Sequence, residues 1–139
     1  MATDEHDSLT ERILAAAFEV SNTLGAGFLE KVYERAPLHE LRLRGIPAAA
    51  QSSFPVIYKG HYAGEYFADI LVENAVVIEL KCVERLGNEH MAQCLNYLRA
   101  SNKDFCLLLN FYNPVIDYKR IISPGIRNLK TQFAAESAT

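Results

Sequence analysis

Several things are scarce in this chain. No stretch approaches the roughly 20 apolar residues that span a bilayer, and the opening MATDEHDS is acidic where a secretory leader would be basic. The sequence therefore predicts a soluble, cytoplasmic protein that meets no membrane. Cysteine is confined to Cys82, Cys94 and Cys106, each inside an apolar segment and none in CxxC spacing. That argues against a zinc site or a disulfide framework and for buried, reduced thiols. No block of basic residues stands out, and a formal charge of -3 offers a phosphate backbone little to bind. Four of the acids, Asp4, Glu5, Asp7 and Glu11, fall in the first eleven residues, however, and removing those four from -3 leaves +1. Net charge thus decides little. Internal repeats, low-complexity linkers and a GxSxG nucleophile turn are all missing, and His6, His39 and His61 have no ligand-like spacing. GAGFLE follows a helical pattern instead of a strand and carries Glu30 at the third glycine position, which excludes a dinucleotide fingerprint.

What is present suffices for one domain over residues 1–139: half the residues are hydrophobic, enough for a core without staples. Residues 1–8 and 134–139 are expected to fray. Ser8 and Glu11 form an SxxE capping box, and Leu9, Ile13, Ala16, Val20 and Leu24 recur at helical spacing, predicting a helix over 9–24. Gly25 and Gly27 break it. A second helix is predicted over 29–44 with Gly45 as its stop and a kink or restart at Pro37. Three strands follow at 54–59, 64–72 and 76–83, with Gly60-His61 and Glu73-Asn74 as turns, then a helix over 84–100 and an apolar strand at 105–111. The last strand, helix and strand should make a right-handed parallel crossover. A strand at 118–122 and a short helix after Pro124 complete the order α, α, β, β, β, α, β, β, α. The class is α/β, a mixed central sheet flanked by helices.

The stretch VVIELKCV, residues 76–83, places two full charges in a buried-looking strand. Strand side chains alternate, so Val77, Glu79, Lys81 and Val83 share one face. The ordinary alternative is a half-solvated strand with Glu and Lys in water. If the preceding turn takes three residues, Asp69 pairs opposite Glu79 on the same face, and two carboxylates and an ammonium converge. Like charges directly opposite need solvent or a cation between them; a hard divalent ion such as Mg²⁺, with oxygen ligands, meets that need. Lys81 could orient a water or stabilise phosphate charge beside it. On the next helix His90, Gln93 and Tyr97 form a polar stripe, which equally describes the flank of any amphipathic helix. Glu30 and Tyr33 stand at i and i+3, where a glutamate often does no more than complement the helix dipole.

Gly27, Glu30 and Tyr33 spell GxxExxY in GFLEKVY, and LGAGFLEKVYE, PVIYKG, GEYFADILVE, VVIELK, HMAQCLNYL and LLLNF occur in order across residues 9–122. The ordered set resembles the small prokaryotic family named after that motif, placed in the PD-(D/E)xK nuclease superfamily. The resemblance implies a restriction-endonuclease-like αβββαβ core in which Asp69, Glu79 and Lys81 are the DxnExK set. It implies that Glu30 is the carboxylate supplied by the helix before the sheet, and that Gln93 and Tyr97 match the QxxxY element of exonuclease-like members. Ala68 stands where the superfamily name has proline.

The expectation is a nuclease that uses Mg²⁺ or Mn²⁺ to hydrolyse phosphodiester bonds of nucleic acid, DNA for preference. Asp69, Glu79, the Leu80 backbone carbonyl and Glu30 would hold the metal. Lys81 would orient the attacking water, and Gln93, Tyr97, His90 and Tyr33 would position substrate. The competing readings are a nuclease-fold module that binds nucleic acid or a protein partner without turnover, and a structural homo-oligomer subunit.

Overall fold

The computed structural model of the chain describes residues 2–123, with side chains from residue 8 onward. The terminal helix expected after Pro124 and the tail 134–139 lie outside the described residues. Helix α1 (Ala2–Leu24) begins well ahead of the expected start, so Ser8 and Glu11 sit inside it and form no terminal capping box. Leu9, Ile13, Ala16, Ala17 and Val20 are buried, the stripe that helical spacing predicts. Helix α2 (Glu30–Leu43) runs as one assigned helix through Pro37, without the expected restart. An interior proline costs about 3 kcal/mol. Here Pro37 is itself buried between Tyr33 and Leu41 on one stripe, and that burial offsets the lost backbone bond.

Five strands form one sheet in the order β1-β2-β3-β4-β5. Strands β1 (Ala48–Tyr58) and β2 (His61–Val72) form a long antiparallel hairpin. Its two-residue turn is Lys59-Gly60, one residue earlier than expected, with φ of +48° and +78° suited to the right-handed strand twist. Strand β3 (Val76–Lys81) pairs antiparallel with β2 from Val72↔Val76 to Ile70↔Ile78, leaving Glu73 to Ala75 as a three-residue turn. Helix α3 (Asn88–Ser101) starts four residues after the expected Glu84, because Gly87 serves as its N-cap. Strand β4 (Phe105–Asn110) lies parallel to β3, and β5 (Asp117–Ile122) returns antiparallel to it. Among the described residues no helix is long and apolar enough to cross a membrane.

Alternation along the strands sends residues to two cores. Ile70, Val72, Ile78, Leu80, Leu107 and Leu109 join the buried residues of α1 and α2, whereas Leu71, Val77, Cys106 and Leu108 join Cys94, Tyr97 and Leu98 of α3. Every residue of β4 is buried, as a central strand covered on both faces requires. Each such Leu or Ile contributes about 1.5–3 kcal/mol. All three cysteines are free thiols; Cys94 and Cys106 are buried as expected, but Cys82 is only half-buried.

Candidate active site

The β2–β3 ladder stops one pair short of Asp69 and Glu79, and there side chains take over from backbone. The Asp69 N–H donates to Glu79 Oε1 at 3.3 Å, and the Leu80 N–H donates to Asp69 Oδ2 at 2.8 Å. This reciprocal exchange places both carboxyl groups at the mouth of a fork between the strands, facing α3, as the three-residue turn required. Glu79 retains 2% exposure. Burial, and then the negative charge of Asp69, push its pKa up to about 9, while the Asp69 N–H opposes the shift. Asp69 is also raised, first by burial, against the Leu80 N–H that lowers it. Lys81, on the same face, lowers both carboxyl groups through its charge.

The backbone after Lys81 is held firmly. Phe111 N–H donates to the Lys81 carbonyl at 2.9 Å. The buried Asn110 donates from Nδ2 to the Val83 carbonyl at 2.7 Å, while its Oδ1 accepts from Val83 N–H at 3.0 Å and Tyr112 N–H at 3.3 Å. Asn110 pairs opposite Lys81 in the parallel ladder, so its amide continues the sheet where β3 leaves it. Leu80 contributes an N–H to Asp69 and a side chain to the core.

From α3, Tyr97 reaches the fork: the charges of Glu79 and Asp69, after burial, raise its phenol. Gln93 Nε2 donates to the Tyr97 hydroxyl at 3.5 Å, and the Tyr97 ring meets Tyr66 edge-on at 5.2 Å. His90 has another partner, since its Nδ1 accepts the Gly87 N–H at 2.9 Å. It thereby performs the N3 half of a capping box for α3. Tyr33 is 1% exposed, stacks on Phe111 at 4.9 Å, donates its hydroxyl to the Gly25 carbonyl at 2.6 Å and accepts Phe28 N–H at 3.3 Å. The hydroxyl is committed to the glycine loop.

Glu30 opens α2 on the surface, and its charge is felt by the Cys82 thiol. The α2 carboxylate whose charge reaches Asp69 is Glu34, one turn later, which pairs with Lys31 at 3.2 Å. Its i+4 relation to Glu30 was the available sequence signal. Gln51 of β1 was also missed; its Nε2 donates to Asp69 Oδ1 at 3.5 Å. No sequence spacing marks it, because it arrives from a different strand.

Among the described residues no three or more His, Cys, Asp or Glu form a metal cage. Asp69 and Glu79 nonetheless suit a hard divalent cation. They are adjacent oxygen donors, the charge of Asp69 raising the pKa of Glu79, and Mg²⁺ typically takes only one or two carboxylates, leaving its other positions to water and phosphate.

A family model described as the PD-(D/E)XK nuclease superfamily matches residues 7–121. Among solved structures, the chain is similar to an alkaline exonuclease, LHK-Exo, from Laribacter hongkongensis at 17% identity and TM-score 0.47, the match covering 72% of this chain and 60% of that one. It is similar to SSO0001 at 18% identity and TM-score 0.49, covering 76% and 63% respectively. It is also similar to LHK-Exo in complex with dAMP at 13% identity and TM-score 0.48, covering 88% and 85%. The chain thus spans about three fifths of the first two. Comparison with curated proteins finds no match.

Proposed function

The chain belongs to the PD-(D/E)XK nuclease superfamily, and from that premise we propose that it is a nuclease of the GxxExxY type that uses Mg²⁺ or Mn²⁺ to hydrolyse phosphodiester bonds, with DNA as its substrate. The observation that carries this reading is the reciprocal bonding of Asp69 and Glu79 at the end of the ladder, with Lys81 on the same face. A cation bound there supplies Lewis-acid activation of the scissile phosphate and lowers the pKa of the attacking water. Asp69 and Glu79, with the Leu80 carbonyl beside them, would hold it. Lys81 would donate a hydrogen bond to the attacking water and stabilise the negative charge that grows on the phosphate. Gln93 and Tyr97 would offer donors from the α3 wall to the substrate strand. Glu30 and Glu34 would add negative field from the α2 side, Glu34 acting on Asp69 directly.

The test is incubation of the purified protein with single- and double-stranded DNA and RNA in Mn²⁺, alongside Asp69→Ala and Lys81→Ala. Each variant is expected to lose at least about 100-fold in rate with an unchanged circular dichroism spectrum. Cleavage by Asp69→Ala at the wild-type rate would sink the reading. Binding without cleavage by the wild type would favour instead a nuclease-fold binding module.

A further inference from the structure

Gln51 faces Asp69 across a gap in the β1–β2 ladder. Pairing runs from Ala48↔Val72 to Ala50↔Ile70 and resumes at Ser52↔Ala68, which leaves these two residues opposite each other outside it. The Gln51 backbone is left-handed, with φ +53°. At Lys59-Gly60 and Glu73-Asn74 a positive φ is demanded by a hairpin turn. Gln51 lies inside a strand, where no turn asks for it. Such a backbone favours Gly or Asn, and other residues pay about 1–2 kcal/mol. A costly residue at an unsuited position points to a role for its side chain.

That side chain ends at the candidate cation site. Its Nε2 donates to Asp69 Oδ1 at 3.5 Å, while Oδ2 accepts the Leu80 N–H at 2.8 Å. Donors on both oxygens fix rotation of the carboxyl plane, which one bond would leave free, and each oxygen keeps a further lone pair for a cation. Hydrogen-bonded supports of this kind orient metal ligands generally. We propose that Gln51 is a positioning residue whose amide holds the Asp69 carboxylate in the orientation that receives the divalent ion. The inference rests on the metal-site reading above.

Gln51→Gly separates the two roles of the position, because glycine relieves the backbone and removes the amide. Mn²⁺ binding measured by calorimetry on the protein alone is expected to weaken about three- to tenfold, with a melting temperature equal to or above wild type. Gln51→Asn, which tolerates the same backbone but is one methylene shorter, is expected to show the same loss. Asp69→Ala, the control, should bind no Mn²⁺. If Asp69→Ala loses binding while Gln51→Gly retains wild-type affinity, this inference alone falls. A Gln51→Gly protein that melts several degrees lower would also overturn it, since the side chain would then serve the fold and not the cation site. Should the wild type take up no Mn²⁺, or Asp69→Ala bind it equally well, the metal-site reading fails and the inference falls with it.

Discussion

Glu79 shows how one side chain can work against its fold until it is partnered. Its carboxyl is buried, and its pKa is raised to about 9, from an ordinary carboxylate value in the unfolded chain. Between those values the folded protein holds a proton that the unfolded chain has released. Stability from this group is therefore full at low pH and is lost as pH rises toward 9. In chelator, unfolding free energy is expected to fall by about 2 kcal/mol or more between about pH 5 and about pH 9. Glu79→Gln, neutral and of the same shape, should flatten that slope and be the more stable protein at the alkaline end. Urea titrations across the pH range check this, and equal slopes in the two proteins would show that Glu79 does not hold the proton.

At the scale of elements, Tyr33 ties α2 to the loop ahead of it through two hydrogen bonds. Tyr33→Phe keeps the stack on Phe111 and removes both bonds, so a loss of about 1–2 kcal/mol is expected. The urea midpoint should fall with m unchanged, and proteolysis should become faster between Gly25 and Leu29. Wild-type stability would mean that the loop stands without the hydroxyl. The strands and helices themselves were legible because alternation and helical spacing report burial, and a three-residue turn was enough to place Asp69 beside Glu79. Helix ends were less legible. The capping box at Ser8 was a sound local signal overridden by a helix that simply continues, and α3 starts late because His90 caps through Gly87, a partnership that no residue preference announces. A restart at Pro37 was among the outcomes expected because local sterics say nothing of the core that receives it. Gln51 required a distance across strands, which a single sequence does not carry.

For the whole molecule, charge is the limiting quantity. A net charge of -3, with the charge of Glu34 reaching Asp69 at the fork, repels phosphate. Cation loading reverses the local sign. Binding of a short duplex, followed by fluorescence anisotropy, is therefore expected to be at least about tenfold tighter in Ca²⁺ than in chelator. Equal affinity in the two buffers would locate the nucleic-acid surface away from Asp69 and Glu79.

The β2–β3 hairpin bears on how such a protein can change. Asp69, Glu79 and Lys81 all lie within residues 69–81, on two adjacent strands joined by a short turn. The charged set is thus heritable as a unit. Layers around it can be exchanged, lengthened or shed while the proposed metal-binding set travels intact in one short segment.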